Sequence, residues 1–183
     1  MIAFSNAAFY QNDLRTIPST RSGRAAPALR FIEVVGASYV DGVNRAEAER
    51  VVDLIAELLE RPERPTVGVV TFNLKQRAAI LDAIESRRSQ ERFAAAWDRA
   101  SAHEDLDQRP FVKNLEQVQG DERDVIVFSL GHAPVARKRK DGTNDLYVPA
   151  RFGPVGQRGG ERRLNVAISR AKQEIYLVAS FQP

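Results

Sequence analysis

Three short stretches of this sequence hold residues whose types and spacing suit phosphate chemistry. The first is Gly159-Gly160-Glu161-Arg162-Arg163-Leu164-Asn165-Val166-Ala167-Ile168-Ser169-Arg170-Ala171. On a helix, Leu164, Ile168 and Ala171 face one way, while Arg163 and Arg170 share another face, roughly 10 Å apart along the axis. Two guanidinium forks so placed can clamp a polyphosphate. The same spacing also suits an amphipathic helix with solvated arginines. The second stretch is Val118-Gln119-Gly120-Asp121-Glu122-Arg123-Asp124. Gly120 admits a close backbone approach to a ligand oxygen. Gln119 and Glu122 can hydrogen-bond a ribose or a phosphate-bound water, and a plain charged turn is the alternative. The third is Thr71-Phe72-Asn73 with Gln76 and Arg77. Its backbone amides and Thr71 can meet a nucleic-acid phosphate, or Asn73 can simply cap a helix.

The elements that must position these groups alternate between strand and helix. Phe31–Gly36 reads as a short strand. Asn44-Arg45-Ala46-Glu47 resembles a capping box opening a helix, whose Ala48, Val51, Val52, Ile55, Leu58 and Leu59 keep helical spacing until Pro62 stops it. Val67–Phe72 and Asp124–Leu130 are nearly continuous apolar runs, as in parallel strands buried on both faces. Helices are predicted from about Leu74 to Ser86, around Phe93 and Trp97, and from Arg162 to about Lys172. Phe111–Asn114 and Ile175–Ala179 are further strands. Residues 1–30 read as irregular. Residues 132–160, with the basic run Arg137-Lys138-Arg139-Lys140, read as a long flexible loop. The alternation implies one α/β domain over residues 1–183, a sandwich with a mainly parallel sheet. All three stretches are expected just past strand ends, where such sheets place ligands.

Composition narrows the choice. Of 27 basic residues, five are lysines (Lys75, Lys113, Lys138, Lys140, Lys172), so 22 are arginines; a net charge of +3 is itself a weak sign of nucleic-acid binding. Arginine suits bidentate phosphate contacts, and a genome rich in GC favours it equally. There is no cysteine, which removes thiol catalysis, disulfides and thiolate metal sites and fits a reducing cytoplasm. No metal site is expected. No run of 18 apolar residues occurs, so no membrane partner is expected.

Four strings occur in order: FSNAAFYQNDLRTIPS from Phe4, GVVTFNLKQRAAILDAIE from Gly68, FVKNLEQVQGDERDVIVFSLG from Phe111 and FGPVGQRGGERRLNVAISRAK from Phe152. Together they resemble the C-terminal RecA-like domain of superfamily 1 helicases, nearest the Upf1-like branch, with its motifs IV, V and VI. The resemblance spans nearly the whole chain and is weakest over 132–150. It implies a three-layer, RecA-like P-loop NTPase fold. It also implies that Arg170 is an arginine finger reaching the γ-phosphate and that Arg163 opens motif VI. Gln119, with the cofactor-binding Gly120 and Glu122, falls in motif V near the γ-phosphate and ribose. Thr71, Phe72 and Val118 fall where the family touches the nucleic-acid backbone. Phe72 keeps the aromatic of a Pro-aromatic pair but not the proline, and Ser169 stands where threonine is commoner.

No lysine is followed by Ser or Thr, so a Walker A loop is lacking, and no strand ends in an Asp-Glu pair for Mg²⁺. The chain is therefore expected to be part of a longer protein. ATP and Mg²⁺ would be held mainly by an N-terminal RecA-like domain of that protein, and single-stranded DNA or RNA would be the other partner. The alternatives are a non-catalytic nucleic-acid-binding module and a protein-interaction domain with the same fold.

Overall fold

In the computed structural model, the residues described are 6, 11, 13, 28–139, 143–149 and 153–182. The N-terminal FSN string, apart from Asn6, Gln11 and Asp13, lies outside them, as do Phe152 and Lys140. Among the described residues, strands β1 (Leu29–Glu33), β2 (Val67–Thr71), β3 (Phe111–Asn114), β4 (Arg123–Ser129) and β7 (Ala171–Ala179) form one sheet in the order β1-β7-β4-β2-β3. Every pairing in it is parallel. Helices α1 (Arg45–Leu59), α2 (Leu74–Arg87) and α3 (Glu91–Ser101) cover one face, and α4 (Gly160–Ile168) lies on the other. The expected α/β class with a mainly parallel, helix-flanked sheet is what the chain adopts.

Strand alternation divides the core. Val67, Val69, Val125, Val127, Tyr176 and Val178 pack against the buried stripe of α1, which includes Val51, Val52, Ile55 and Leu58. Val70, Phe72, Ile126, Phe128 and Ile175 point the other way, against Ala167, Leu164 and Ile168. Each fully buried aliphatic side chain contributes about 1.5–3 kcal/mol by leaving water. All five residues of β2 are buried, which accounts for its unbroken apolar run. Phe93 and Trp97 stack with ring centroids 6.0 Å apart, as one turn of α3 permits.

Several expectations need correction. The last helix ends at Ile168 rather than near Lys172, because β7 begins at Ala171 to pair with Arg123. The Arg123 amide donates to the Arg170 carbonyl at 3.0 Å, so Arg170 sits in the turn between helix and strand, not on a helical face with Arg163. The 132–160 stretch is not wholly a loop. It carries an antiparallel hairpin, β5 (Val135–Lys138) with β6 (Asn144–Tyr147), and a 3₁₀ turn at Gly153–Gly156. Asn44 does cap α1, its Oδ1 accepting from the Glu47 amide at 3.0 Å, but the box is not closed. The Asn44 amide donates to Gln76 instead, and the Glu47 carboxylate turns into the core.

Candidate nucleotide-facing site

The connection from β3 to β4 must return from the carboxyl end of one parallel strand to the amino end of another. Leu115 and the fully buried Val118 pin it to the α4 side of the sheet. It therefore delivers Gln119–Glu122 to the amino edge, where the turn after α4 also delivers Arg170. Only the Thr71–Asn73 segment follows a strand's carboxyl end. The expectation that all three stretches lie past strand ends holds for that one alone.

At the amino edge, Gly120 has φ +88°, in the left-handed region that glycine tolerates best, and a Cβ there would meet nothing within 4 Å. The Asp121 amide closes the turn onto the Val118 carbonyl at 3.3 Å, and Asp121 is held by Lys113 at 2.7 Å. Arg123 and Asp124 are structural. Arg123 is buried, donates to the Arg109 and Glu122 carbonyls at 2.8 Å each, and lies over the Phe111 ring. Burial opposes ionisation of Asp124. Hydrogen bonds from the Thr66 amide and hydroxyl and from Gln173 outweigh it and hold the carboxyl below its ordinary pKa. Glu122, half exposed, is left available, and its carboxylate stands 3.9 Å from the Arg170 guanidinium. Arg170 Nε donates to the Val166 carbonyl at 3.1 Å, and Nη2 reaches Ser169 Oγ at 3.4 Å. Beside this pair, Gln119, Arg162 and Arg163 line a pocket of about 320 Å³ with Leu115, Glu116 and Val166. The structure thus brings Glu122 to Arg170 at the amino edge and sets Gln119 and Arg163 on one pocket that shares Val166 with the Arg170 anchor. Arg162, not singled out from the sequence, joins them. Only its place beside Arg163 signalled it.

The carboxyl edge, with Thr71 and Phe72, differs from expectation, as does Val118 in the β3–β4 connection. Thr71, Phe72 and Val118 are all buried. The Thr71 hydroxyl donates to the Asn73 carbonyl at 3.0 Å, and Phe72 packs against Phe128. Their side chains do not face a strand, and the backbone of the turn is what remains for contact. Asn73 caps α2, accepting from the Gln76 amide at 2.7 Å. Gln76 is buried between Asn44 and Ser129, which removes it from the surface, and the half-buried Arg77 donates Nε to the Val112 carbonyl at 2.9 Å.

That edge also hides a carboxylate that sequence spacing did not reveal. Glu47 has no exposed surface and accepts from Ser129 Oγ and the Gly131 amide, both at 2.7 Å. Asn44 Nδ2 reaches it at 3.2 Å and Ser180 Oγ at 3.5 Å. Desolvation raises its pKa from 4.5 to about 7, against these hydrogen bonds. Its place three residues after Asn44 read as a cap. Only the packing of α1 against the ends of β4 and β7 shows otherwise.

Among the described residues, no helix is long and apolar enough to cross a membrane. Comparison with known proteins places the chain. Residues 1–182 match the model of a family described as AAA domain. An ATP-dependent helicase of Mycoplasma pneumoniae, the MG140 homolog, is 34% identical over 97% of this chain and 14% of its own length. The ATP-dependent helicase MG140 of Mycoplasma genitalium is 33% identical over the same shares. The chain thus spans about one seventh of the curated relatives it matches. Among solved structures, the E. coli DExH-box NTPase HrpB aligns over 84% of this chain and 19% of its own, at 12% identity and a TM-score of 0.43. The chain belongs to the AAA-domain family found in Upf1-like superfamily 1 helicases, as a C-terminal helicase domain.

Proposed function

We propose that this chain is the second motor domain of an ATP-driven helicase or translocase and supplies the arginine finger. The observation that carries this reading is the grouping at the amino edge. Arg170 is anchored by a backbone carbonyl and only loosely paired with Glu122, beside Gln119, Arg162 and Arg163. A guanidinium so held can exchange a distant carboxylate for phosphoryl oxygens without refolding. The donor set is cationic and fork-shaped, which fits the γ-phosphate end of ATP. Mg²⁺ and the phosphate-binding lysine would come from the partner domain, and the bound nucleotide supplies the phosphoanhydride to be cleaved.

In that arrangement Arg170 stabilises charge that develops on the transferred phosphoryl group. Gln119 and Glu122 orient water or ribose, and Arg163 positions the cluster. Arginine fingers elsewhere contribute about 10³–10⁵ in rate. Opening and closing of the cleft between domains would step the protein along a single strand held by its phosphates, contacts that carry little sequence information.

The test is Arg170→Lys in the longer protein joined to a Walker-bearing domain. Lysine keeps the charge and loses the planar fork. Turnover of ATP should fall by at least roughly a hundredfold while ATP affinity stays within several-fold. Near-normal turnover by Arg170→Lys, with Arg163→Lys inactive, would mean that the finger is misassigned.

A further inference from the structure

The β5–β6 hairpin belongs to neither layer of the core. Its two strands pair only with each other among the described residues, and most of their side chains are exposed. The register sets Val135 opposite Tyr147 and Arg137 opposite Asp145. Strand alternation therefore puts Arg137, Arg139, Asp145 and Tyr147 on one face, and Lys138 with Leu146 on the other. The Arg137 guanidinium lies 5.1 Å from the Tyr147 ring centroid. Arg139 is paired with Asp145 at 2.7 Å. Arg137 and Lys138 make no ion pair among the described residues. The hairpin thus offers two uncompensated cations, a third held by one carboxylate, and an aromatic ring whose orientation a cation has already set. Tyr147 is 40% exposed and Leu146 70%.

Both roots of the hairpin sit at the carboxyl edge of the sheet. The outgoing arm leaves β4 through His132, which is buried, stacked on Tyr39 and bound through its carbonyl to Asn44 Nδ2 at 3.1 Å. The returning arm passes so close to the Phe72 carbonyl at Gly153 that a Cβ there would collide with it. It then packs Val155 against Gly160, the first residue of α4. The returning root of the cationic arm therefore adjoins the turn between β2 and α2, where the buried Thr71 and Phe72 offer only backbone.

We propose that this hairpin is the chain's nucleic-acid contact arm: Arg137, Lys138 and Arg139 engage the phosphodiester backbone of a single strand, and Tyr147 stacks on a base. The chemistry is that of sequence-indifferent single-strand binding, in which cations follow the backbone while an aromatic face takes any base. This rests on the reading that the chain works on nucleic acid. It moves the side-chain contact from Thr71, Phe72 and Val118 to a segment the helicase resemblance matches least.

The test is fluorescence anisotropy of the 183-residue chain with labelled oligo-dT and oligo-U, across a salt series. The variants are the triple change Arg137→Gln, Lys138→Gln, Arg139→Gln, and separately Tyr147→Leu, Tyr147→Phe and Asp145→Asn. The triple variant should bind at least tenfold more weakly than the unaltered chain. Its salt slope should be shallower by about 2, from about 0.7 per lost phosphate contact. Tyr147→Leu should weaken binding several-fold, and Tyr147→Phe should restore it. Asp145→Asn, which releases Arg139, should tighten binding, an effect that a purely structural hairpin would not give. Relative affinity for the two oligomers distinguishes DNA from RNA as the source of the phosphodiester. If the unaltered chain binds and the triple variant binds equally, with the same salt slope, the arm is overturned while the motor-domain reading stands. If the unaltered chain binds neither oligomer but binds vesicles containing anionic lipid or an acidic peptide, the nucleic-acid assignment of both is overturned.

Discussion

Glu47 gives the sharpest physical prediction. It is a carboxylate with no exposed surface, and no basic side chain donates to it among the described residues. Burial raises its pKa to about 7, above the ordinary 4.5, although four donors favour the ionised form. The folded state therefore holds the proton more tightly than the unfolded chain does. Stability contributed by this group is complete below about pH 4.5 and is lost as pH rises toward 7. The separation between the two values amounts to roughly 3 kcal/mol, most of it lost between pH 5 and 8. Glu47→Gln keeps the shape and removes the titration. Its amide oxygen can accept from Ser129 and Gly131, while its NH₂ group meets the Asn44 NH₂ group and forfeits one bond. The variant should therefore be less stable than the parent at pH 5, by about 1–3 kcal/mol. By pH 8 the difference should shrink or reverse, through a relative gain of roughly 3 kcal/mol. Urea unfolding of both proteins at the two pH values measures this directly. Parallel pH profiles for parent and variant would show that Glu47 does not titrate in this window, and that its four donors outweigh its burial.

Other substitutions test separate parts of the account. Gly68→Ala would place a Cβ against the Phe111 ring and Ile126 in the middle of the sheet, and should cost about 1–3 kcal/mol in denaturant unfolding. Gly153→Ala meets the immobile Phe72 carbonyl at a positive φ of 53°, so it should shift the hairpin's returning arm, seen as faster amide exchange at Gly153–Gly156. Asn73→Ala removes the α2 cap and should cost about 1 kcal/mol, and Asn73→Ser should recover most of it. Arg163→Lys should lower ATP turnover of the longer protein less than Arg170→Lys does, because Arg163 lines the pocket beside the turn that carries Arg170.

Much of the fold was legible because buried parallel strands write themselves as apolar runs. Val67–Thr71 and Phe111–Asn114 were found nearly residue for residue, and helical spacing located α1 and α2. The last helix was overextended because Arg170, Ala171 and Lys172 suit a helix locally. The long-range pairing of Ala171 with Arg123 decided otherwise. The hairpin was missed because its strands bury little, so β5 and β6 carry no hydrophobic alternation to read. At the site, the arginines and Gln119 were named from motif and type. Thr71 and Phe72 lie in a run that reads as buried on both faces, and it is the motif resemblance, not the strand pattern, that points their side chains at nucleic acid. Glu47 was unreadable for a different reason: a cap residue and a core carboxylate share the same place after Asn44, and only partners 82 to 133 residues away tell them apart.

The central claim is that Arg170 acts on the phosphoryl group in flight rather than on bound ATP. Affinity for a transition-state mimic separates the two. In the longer protein with its phosphate-binding domain, ADP with aluminium fluoride should bind Arg170→Ala at least roughly a hundredfold more weakly than the unaltered protein, in keeping with other arginine fingers. ADP alone should bind both within several-fold. Equal affinity for the mimic in the two proteins would contradict the account and leave Arg170 as a structural residue of the turn into β7.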